Sequence, residues 1–301
     1  MARDELGGEG FGSPVEGSTG TESVLGRYVD YEARKRLITT GFYVFSGAML
    51  LFLWAPLLTV IFLSFGSNPV SVIPFEGFTL EHYAATFADS SLMGAFYTSL
   101  QVATISAGLA TVFGVLASFG IVRYDFPFKE TFRTFGIMPL IIPGVILGVG
   151  LLIFFRTVVG MQTGFLTTVL THSVYGFPFV MLPVTARLYS FDRSLEESAR
   201  DLGADTVEAF RDVTFPIIAP AIGAGFLFAW IRSFEDFIRA FFVSGTTSVL
   251  TTEMYAFIKY GFTPKMNAMS GFIIFLIAAI LAVAMNVGDV TSYVAGDDDE
   301  E

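Results

Sequence analysis

The sequence predicts an all-α membrane protein with six transmembrane helices and both termini in the cytoplasm. Three observations carry that reading. The chain of 301 residues is 53% hydrophobic and only 15% charged, where soluble domains carry about 25% charged residues, and its mean hydropathy is +0.65. Its apolar residues gather in separate runs of roughly 20 or more, the length that crosses about 30 Å of hydrocarbon at about 1.5 Å per residue. Its basic residues fall almost entirely on one side of those runs.

The elements follow in order. Residues 1–33 read as a disordered acidic tail: the stretch to Gly26 is rich in Gly, Ser, Glu and Thr and cannot bury enough apolar surface to fold alone. An acidic start with no early apolar run also excludes a signal peptide. Arg34-Lys35-Arg36 opens the membrane domain, taken as residues 34–290, and Ile38 to Phe65 is the first span, with a kink expected at Trp54-Ala55-Pro56. Leu80, Tyr83, Ala84 and Phe87 have the spacing of a short amphipathic helix on the outer face. The second span runs from about Ala95 to Val122, and the third from about Phe135 to Phe155 with Pro139, Pro143 and a Gly144-x-x-x-Gly148 pair. Small residues at that spacing let helices approach closely. The fourth span covers Gly164 to Leu188, in which His172 and Ser173 read as interhelical hydrogen-bonding groups. The fifth runs from about Pro216 to Phe242, and the sixth from Met269 to Gly288. Between these last two, Glu253 to Tyr260 forms a short amphipathic piece stopped by Gly261 and Pro264. Residues 291–301 close the chain as an acidic tail.

Charge sets orientation and excludes several function classes. Arg34, Lys35, Arg36, Arg123, Lys129, Arg133, Arg187, Arg193, Arg200 and Arg211 lie on one side, against Arg156, Lys259 and Lys265 on the other. Positive residues favour the cytoplasm, which makes both ends and the polar stretch before the fifth span cytoplasmic. The net charge of −11 comes chiefly from the two ends. Acidic ends exclude a nucleic-acid partner. The chain has no cysteine and only His82 and His172, so neither a metal site nor a cofactor is expected. It contains no Gly-x-x-x-x-Gly-Lys-Ser/Thr motif and hence no P-loop of its own. No catalytic residues are assigned, and the chain is not expected to be an enzyme.

The stretch from Ser194 to Pro216 is polar between two apolar runs. Ser194 with Glu197 has the spacing of a capping box, and Leu195, Ala199 and Leu202 follow at helical spacing. Gly203 can stop the helix in the left-handed conformation. Asp205 with Glu208 reads as a second start, with Val207, Phe210 and Val213 as its apolar stripe. Two short helices joined by a Gly-Ala turn result.

That layout resembles the cytoplasmic signature loop of binding-protein-dependent ABC importer permeases. The family pattern is Glu-Ala-Ala, three residues, Gly, nine residues, Ile-x-Leu-Pro. Here it reads Glu197-Ser198-Ala199, Gly203, then Val213-Thr214-Phe215-Pro216, with the spacings kept. Ser198, Val213 and Phe215 are departures compatible with a packed short helix. The resemblance implies a coupling loop between spans four and five that docks on an ATPase subunit, with Ser194, Glu197, Ser198, Ala199, Gly203, Val213 and Pro216 as its residues. It also implies a second permease subunit (homo- or heterodimeric pore), an external substrate-binding protein and a multi-pass place in the cell membrane's lipid bilayer. ATP hydrolysis is expected on separate subunits. Phe78-Thr79-Leu80-Glu81-His82-Tyr83, Ser233-Phe234-Glu235-Asp236-Phe237, Phe241 to Gly245 and Gly261 to Ala268 resemble the spermidine/putrescine branch, which implies a polyamine substrate. Thr251 departs from the proline common in that branch. An importer of ferric iron or of an inorganic oxyanion such as sulfate, thiosulfate or molybdate stays open. Outside the class, the alternative is a self-contained channel or secondary transporter.

Arg232, Glu235, Asp236 and Arg239 lie three, four and seven apart and are expected on one face of the fifth helix. Ionisable groups within a membrane face a bundle interior or an aqueous path. Two readings stay open: a lining of the translocation pathway, or a self-paired cluster holding the helix in register.

Overall fold

The computed structural model describes residues 20–68, 76–261 and 263–294. Among the described residues the chain is helical, with one isolated bridge between Gly66 and Phe78. Five helices among the described residues are long and apolar enough to cross a membrane, and a sixth crossing results if one sharply bent pair is a single span.

The chain divides into two units, Met1–Thr59 and Val60–Glu301. In the first, helix α1 (Gly20–Ser64) begins well before residue 34. Backbone helix therefore extends into the stretch expected to be disordered up to residue 33, while residues 1–19 lie outside the described residues. The kink expected at Pro56 does not interrupt α1. Leu37, Phe42, Phe45 and Phe52 are all exposed along it. A helix apolar all round suits a lipid surround, where no polar face is required.

In the second unit, α2 (Glu81–Phe87) precedes α3 (Ser90–Arg123), and Asp89 caps α3 by accepting from the Ser91 and Leu92 N–H groups. Helices α3, α6 (Phe165–Tyr189) and α9 (Phe215–Phe234) form the centre of the bundle. Lipid tails are as apolar as leucine, so these helices associate through close packing and interhelical hydrogen bonds. Ala107, Ala110, Val180, Val184, Leu188, Ile218 and Ala229 make the buried cluster between them. Ser118 on α3 donates to the Met181 carbonyl (2.9 Å) and accepts from Thr185 (3.0 Å), which ties α3 to α6. At the other end Leu92, Phe96, Phe234, Leu250 and Met269 form a second buried cluster with α11 (Leu250–Tyr260) and α12 (Pro264–Val294). Helix α12 starts earlier and ends later than the expected Met269–Gly288 span. The acidic end beyond Val294 lies outside the described residues.

Two expected spans are broken. The third is α4 (Lys129–Ile141) and α5 (Gly144–Ile153), bent by 108°, with α5 prolonged by a π-helical turn over Phe154–Val159. Pro143 sits at the bend with ψ 134°; a proline ring disfavours the α conformation in the residue before it, here the extended Ile142 (ψ 127°), and donates no hydrogen bond. The fifth ends at Phe234, and α10 (Ile238–Val243) begins after a three-residue break. Gly144 and Gly148 do mark a close helix contact, and their partner is α10. A Cβ on Gly148 would lie 3.0 Å from Phe242 and one on Gly144 3.4 Å from the Arg239 guanidinium.

Candidate functional site

The polar loop folds as two short helices, α7 (Ser194–Asp201) and α8 (Thr206–Ala209), followed by a π-helical turn over Phe210–Thr214 that runs into α9. Gly203 has φ +99°. Its N–H bonds to the Arg200 carbonyl (2.9 Å) and that of Ala204 to the Ala199 carbonyl (3.1 Å), which together make the Schellman stop of α7. The second start is also as expected: Asp205 accepts from Val207 and Glu208 N–H groups, and Glu208 accepts from the Asp205 N–H (2.9 Å).

The first start is not. Ser194 and Glu197 form no capping box, because the N-cap of α7 is Arg193 and no side chain caps there. The Asp192 carboxylate instead accepts the Ser194 N–H at 2.9 Å, and that hydrogen bond holds the Asp192 carboxyl below its ordinary pKa. The anchor lies two residues before the expected one. Glu197 and Ser198 are exposed and Ala199 is half-buried. Val213 is half-buried in the π turn, and Pro216 occupies the first turn of α9, directly after that turn. Leu195, Leu202 and Val207 stand exposed, Leu202 at 91%.

A residue that sequence spacing passed over anchors the loop. Glu196, adjacent to the family-pattern Glu197, turns inward, its side chain 14% exposed. It accepts two hydrogen bonds from Arg123 at the end of α3, at 2.9 and 2.5 Å, and a third from the Thr214 hydroxyl. Arg193 donates to the Val122 carbonyl (3.1 Å), and Arg187 to the Ile217 carbonyl (3.0 Å). Arg123 also lies over the Phe191 ring.

The charged cluster of the fifth span departs from expectation. The break after Phe234 leaves Arg232 on α9, Glu235 and Asp236 in the break itself and Arg239 on α10, rather than all four on one helix face. Arg232 pairs with Glu235 and donates to the Tyr175 hydroxyl (2.7 Å). Asp236 pairs with Arg239 at 2.8 Å and also accepts the Arg239 backbone N–H, while Thr251 donates to the Asp236 carbonyl. Two backbone groups at the break, the Arg239 N–H and the Asp236 carbonyl, are thus bonded to side chains. The first pair is half-exposed, at 41% and 45%, and the second buried, at 9% and 4%. Tyr175 joins them: the Arg239 guanidinium sits 3.3 Å from its ring centroid, within cation–π range.

His172 extends the network. Its Nδ1 lies 2.8 Å from Ser233 Oγ, which is 2.9 Å from Ser106 Oγ on α3, and its Nε2 lies 3.6 Å from Asp236. The expectation for His172 as an interhelical group is met, whereas Ser173 bonds within its own helix, to Val169. Each acid in the cluster has an arginine partner, so the cluster carries no net charge. Among the described residues no group of His, Asp and Glu is placed to hold a metal ion.

Residues 110–290 match the family described as binding-protein-dependent transport system inner membrane component. The chain is 30% identical over 264 residues to the spermidine/putrescine transport system permease protein PotC of Escherichia coli (strain K12), covering 87% of this chain and 98% of that one. It is 33% identical over 230 residues to the putrescine transport system permease protein PotI of the same organism, covering 74% of this chain and 82% of that one. Among solved structures, a chain of a bacterial ABC transporter involved in the import of the acidic polysaccharide alginate is similar with TM-score 0.65 at 18% identity. That match covers 90% of this chain and 100% of the other. A chain of the MetNI methionine ABC transporter is similar with TM-score 0.56, also at 18% identity, over 67% of this chain and 99% of the other.

Proposed function

The chain belongs to the binding-protein-dependent transport system inner membrane component family and is a permease of an ABC importer; from that premise we propose that it carries polyamines of the spermidine and putrescine class. The observation that supports this is the similarity to PotC, which runs through 98% of that protein's length. The chemistry is compatible. Glu235 is the exposed acid of the charged cluster, and among the described residues it is held by Arg232, itself half-exposed. A substrate ammonium can exchange with Arg232 there, giving attraction weak enough to allow onward passage.

The chain is proposed to supply half of the pathway, paired with a second permease and served by an external binding protein. Both termini and the loop from Ser194 to Pro216 face the cytoplasm in this reading. There the exposed Glu197, Leu202 and Val207 meet an ATPase subunit, on which ATP hydrolysis takes place. The residues Ser194, Ser198, Ala199, Gly203, Val213 and Pro216 shape that docking face. A second reading, import of an inorganic oxyanion, is favoured by 29% identity over 188 residues to the molybdate/tungstate transport system permease protein WtpB of Thermococcus kodakarensis, covering 62% of this chain. The test is to isolate the complex with its binding protein, identify the retained ligand by mass spectrometry, and assay uptake of labelled putrescine, spermidine and molybdate. Retained polyamine with ATP-dependent polyamine uptake is the expected result. Retained oxyanion with no polyamine uptake rejects the proposal in favour of the second reading.

A further inference from the structure

Three side chains from three separate segments converge at the inner end of the bundle: Arg123 from the last turn of α3, Glu196 from α7 and Thr214 from the turn that enters α9. We propose that Glu196, held by Arg123 and Thr214, is a positioning residue that passes movement of the loop to α3 and α9 together. This rests on the reading of the loop as the ATPase-docking element, and assigns to Glu196 a part distinct from docking.

The geometry favours an internal strut over a surface ion pair. Arg123 and Glu196 are 73 residues apart and meet through two roughly parallel hydrogen bonds, Nη1 to Oε2 at 2.9 Å and Nη2 to Oε1 at 2.5 Å. Such bidentate pairing fixes orientation as well as distance. Both side chains are largely covered, at 17% and 14% exposed, so water does little to loosen them. Thr214 is fully buried and gives its hydroxyl hydrogen to the same carboxylate. Arg193 grips the Val122 carbonyl one residue earlier on α3, and Phe119 packs edge-on against Phe210 of the π turn. Adjacent glutamates on a helix point about 100° apart; here Glu196 turns to the spans and Glu197 to solvent. The helix α7 thus presents one carboxylate to the spans and leaves its neighbour for a partner. A push on α7 has no slack to absorb it between the loop and the ends of α3 and α9.

The experiment uses the complete importer in proteoliposomes, with substrate uptake, ATP hydrolysis and ATPase co-purification measured on each variant. With Glu196→Ala or Arg123→Ala, the ATPase should still co-purify, but uptake per ATP hydrolysed should fall about fivefold or more, the range of ordinary coupling between sites. The swap Arg123→Glu with Glu196→Arg should recover part of that ratio, because the Thr214 hydroxyl can accept as well as donate. Thr214→Val keeps the volume, removes only the third hydrogen bond, and should lower the same ratio by a smaller factor. This milder variant decides the matter if the alanine variants fail to assemble. An unchanged ratio in Thr214→Val and the alanine variants, no recovery by the swap, or loss of the ATPase from a Glu196→Ala permease that is folded and present at wild-type abundance overturns the proposal. The docking reading is tested apart from it: Leu202→Asp should lose the ATPase altogether, and wild-type co-purification of that variant means that docking, not the strut, has been misassigned.

Discussion

Val180 on α6 lies where a side chain on Gly225 of α9 would have to go: a Cβ there would meet the Val180 Cα at 2.8 Å. The same valine also blocks Gly114 of α3, where a Cβ would meet the Val180 Cβ at 2.8 Å. One fully buried residue therefore sets the spacing of three helices, and two glycines make room for it. Without a hydrophobic drive between helices in lipid, such fit is a main source of their association.

Gly225→Leu should consequently force α9 away from α6, at a cost of about 1–3 kcal/mol as for other overpacked cores. The first quantity to read is the thermal midpoint of the detergent-solubilised permease, which should drop. Gly223→Ala, two residues away with open space around it, should leave that midpoint unchanged. Equal effects from both would show that α9 does not pack through Gly225.

The two carboxylates of the fifth span should behave differently. Glu235→Gln leaves Arg232 half-exposed and still bonded to Tyr175, so assembly should be normal and uptake reduced. Asp236→Asn removes the partner of the buried Arg239, and breaking a buried pair costs about 3–5 kcal/mol, so the protein should misassemble. Membrane abundance together with uptake separates these outcomes. Normal abundance for Asp236→Asn would contradict the buried pairing.

Asp89 ties the start of α3 to Lys265 at 2.8 Å. That hydrogen bond, followed by the Leu92 N–H, holds its pKa below the ordinary 3.8 despite some opposing burial. A depressed carboxylate stabilises the fold above its unfolded pKa and loses that contribution as pH falls through its folded value. Asp89→Ala should thus lower the unfolding midpoint at pH 7, by about 0.5–2 kcal/mol of cap stability. The gap from wild type should narrow only below pH 3.8. A gap independent of pH down to acid unfolding would mean that the charge of Asp89 contributes nothing.

Orientation can be read with single cysteines, because the chain has none of its own. An impermeant thiol reagent added outside intact cells should label Ser90→Cys and not Ser194→Cys. The reverse pattern would invert the proposed topology.

How far the sequence reaches depends on the range of the interactions. The spans, the Gly203 stop and the Asp205–Glu208 capping box were legible because each depends on residues within a few positions of one another. The strut from Arg123 to Glu196 was not, since no local pattern links residues 73 positions apart; only the doubled glutamate, with one member turned inward, hints at it. The break after Phe234 was hidden for a similar reason. The Arg239 N–H and the Asp236 carbonyl at the break are bonded by Asp236 and by Thr251 from a later segment, which helical spacing alone does not reveal, so that spacing placed Arg232 and Arg239 on one face. The bend in the third span was not legible either: Pro143 is visible, but Phe135 to Phe155 reads as one span, and the 108° turn shows only in the structure.

The central claim is that the loop from Ser194 to Pro216 couples this permease to ATP hydrolysis on a partner. It is tested most directly by measuring ATPase co-purification and binding-protein-stimulated ATP hydrolysis for Gly203→Val and Glu197→Ala. Gly203 stands at φ +99°, a conformation that a β-branched residue resists, so Gly203→Val should distort the turn while the spans still insert, and both signals should fall. Glu197 has no part in capping α7, so Glu197→Ala should leave folding untouched and lower stimulation alone. Wild-type binding and stimulation in both variants would contradict the claim.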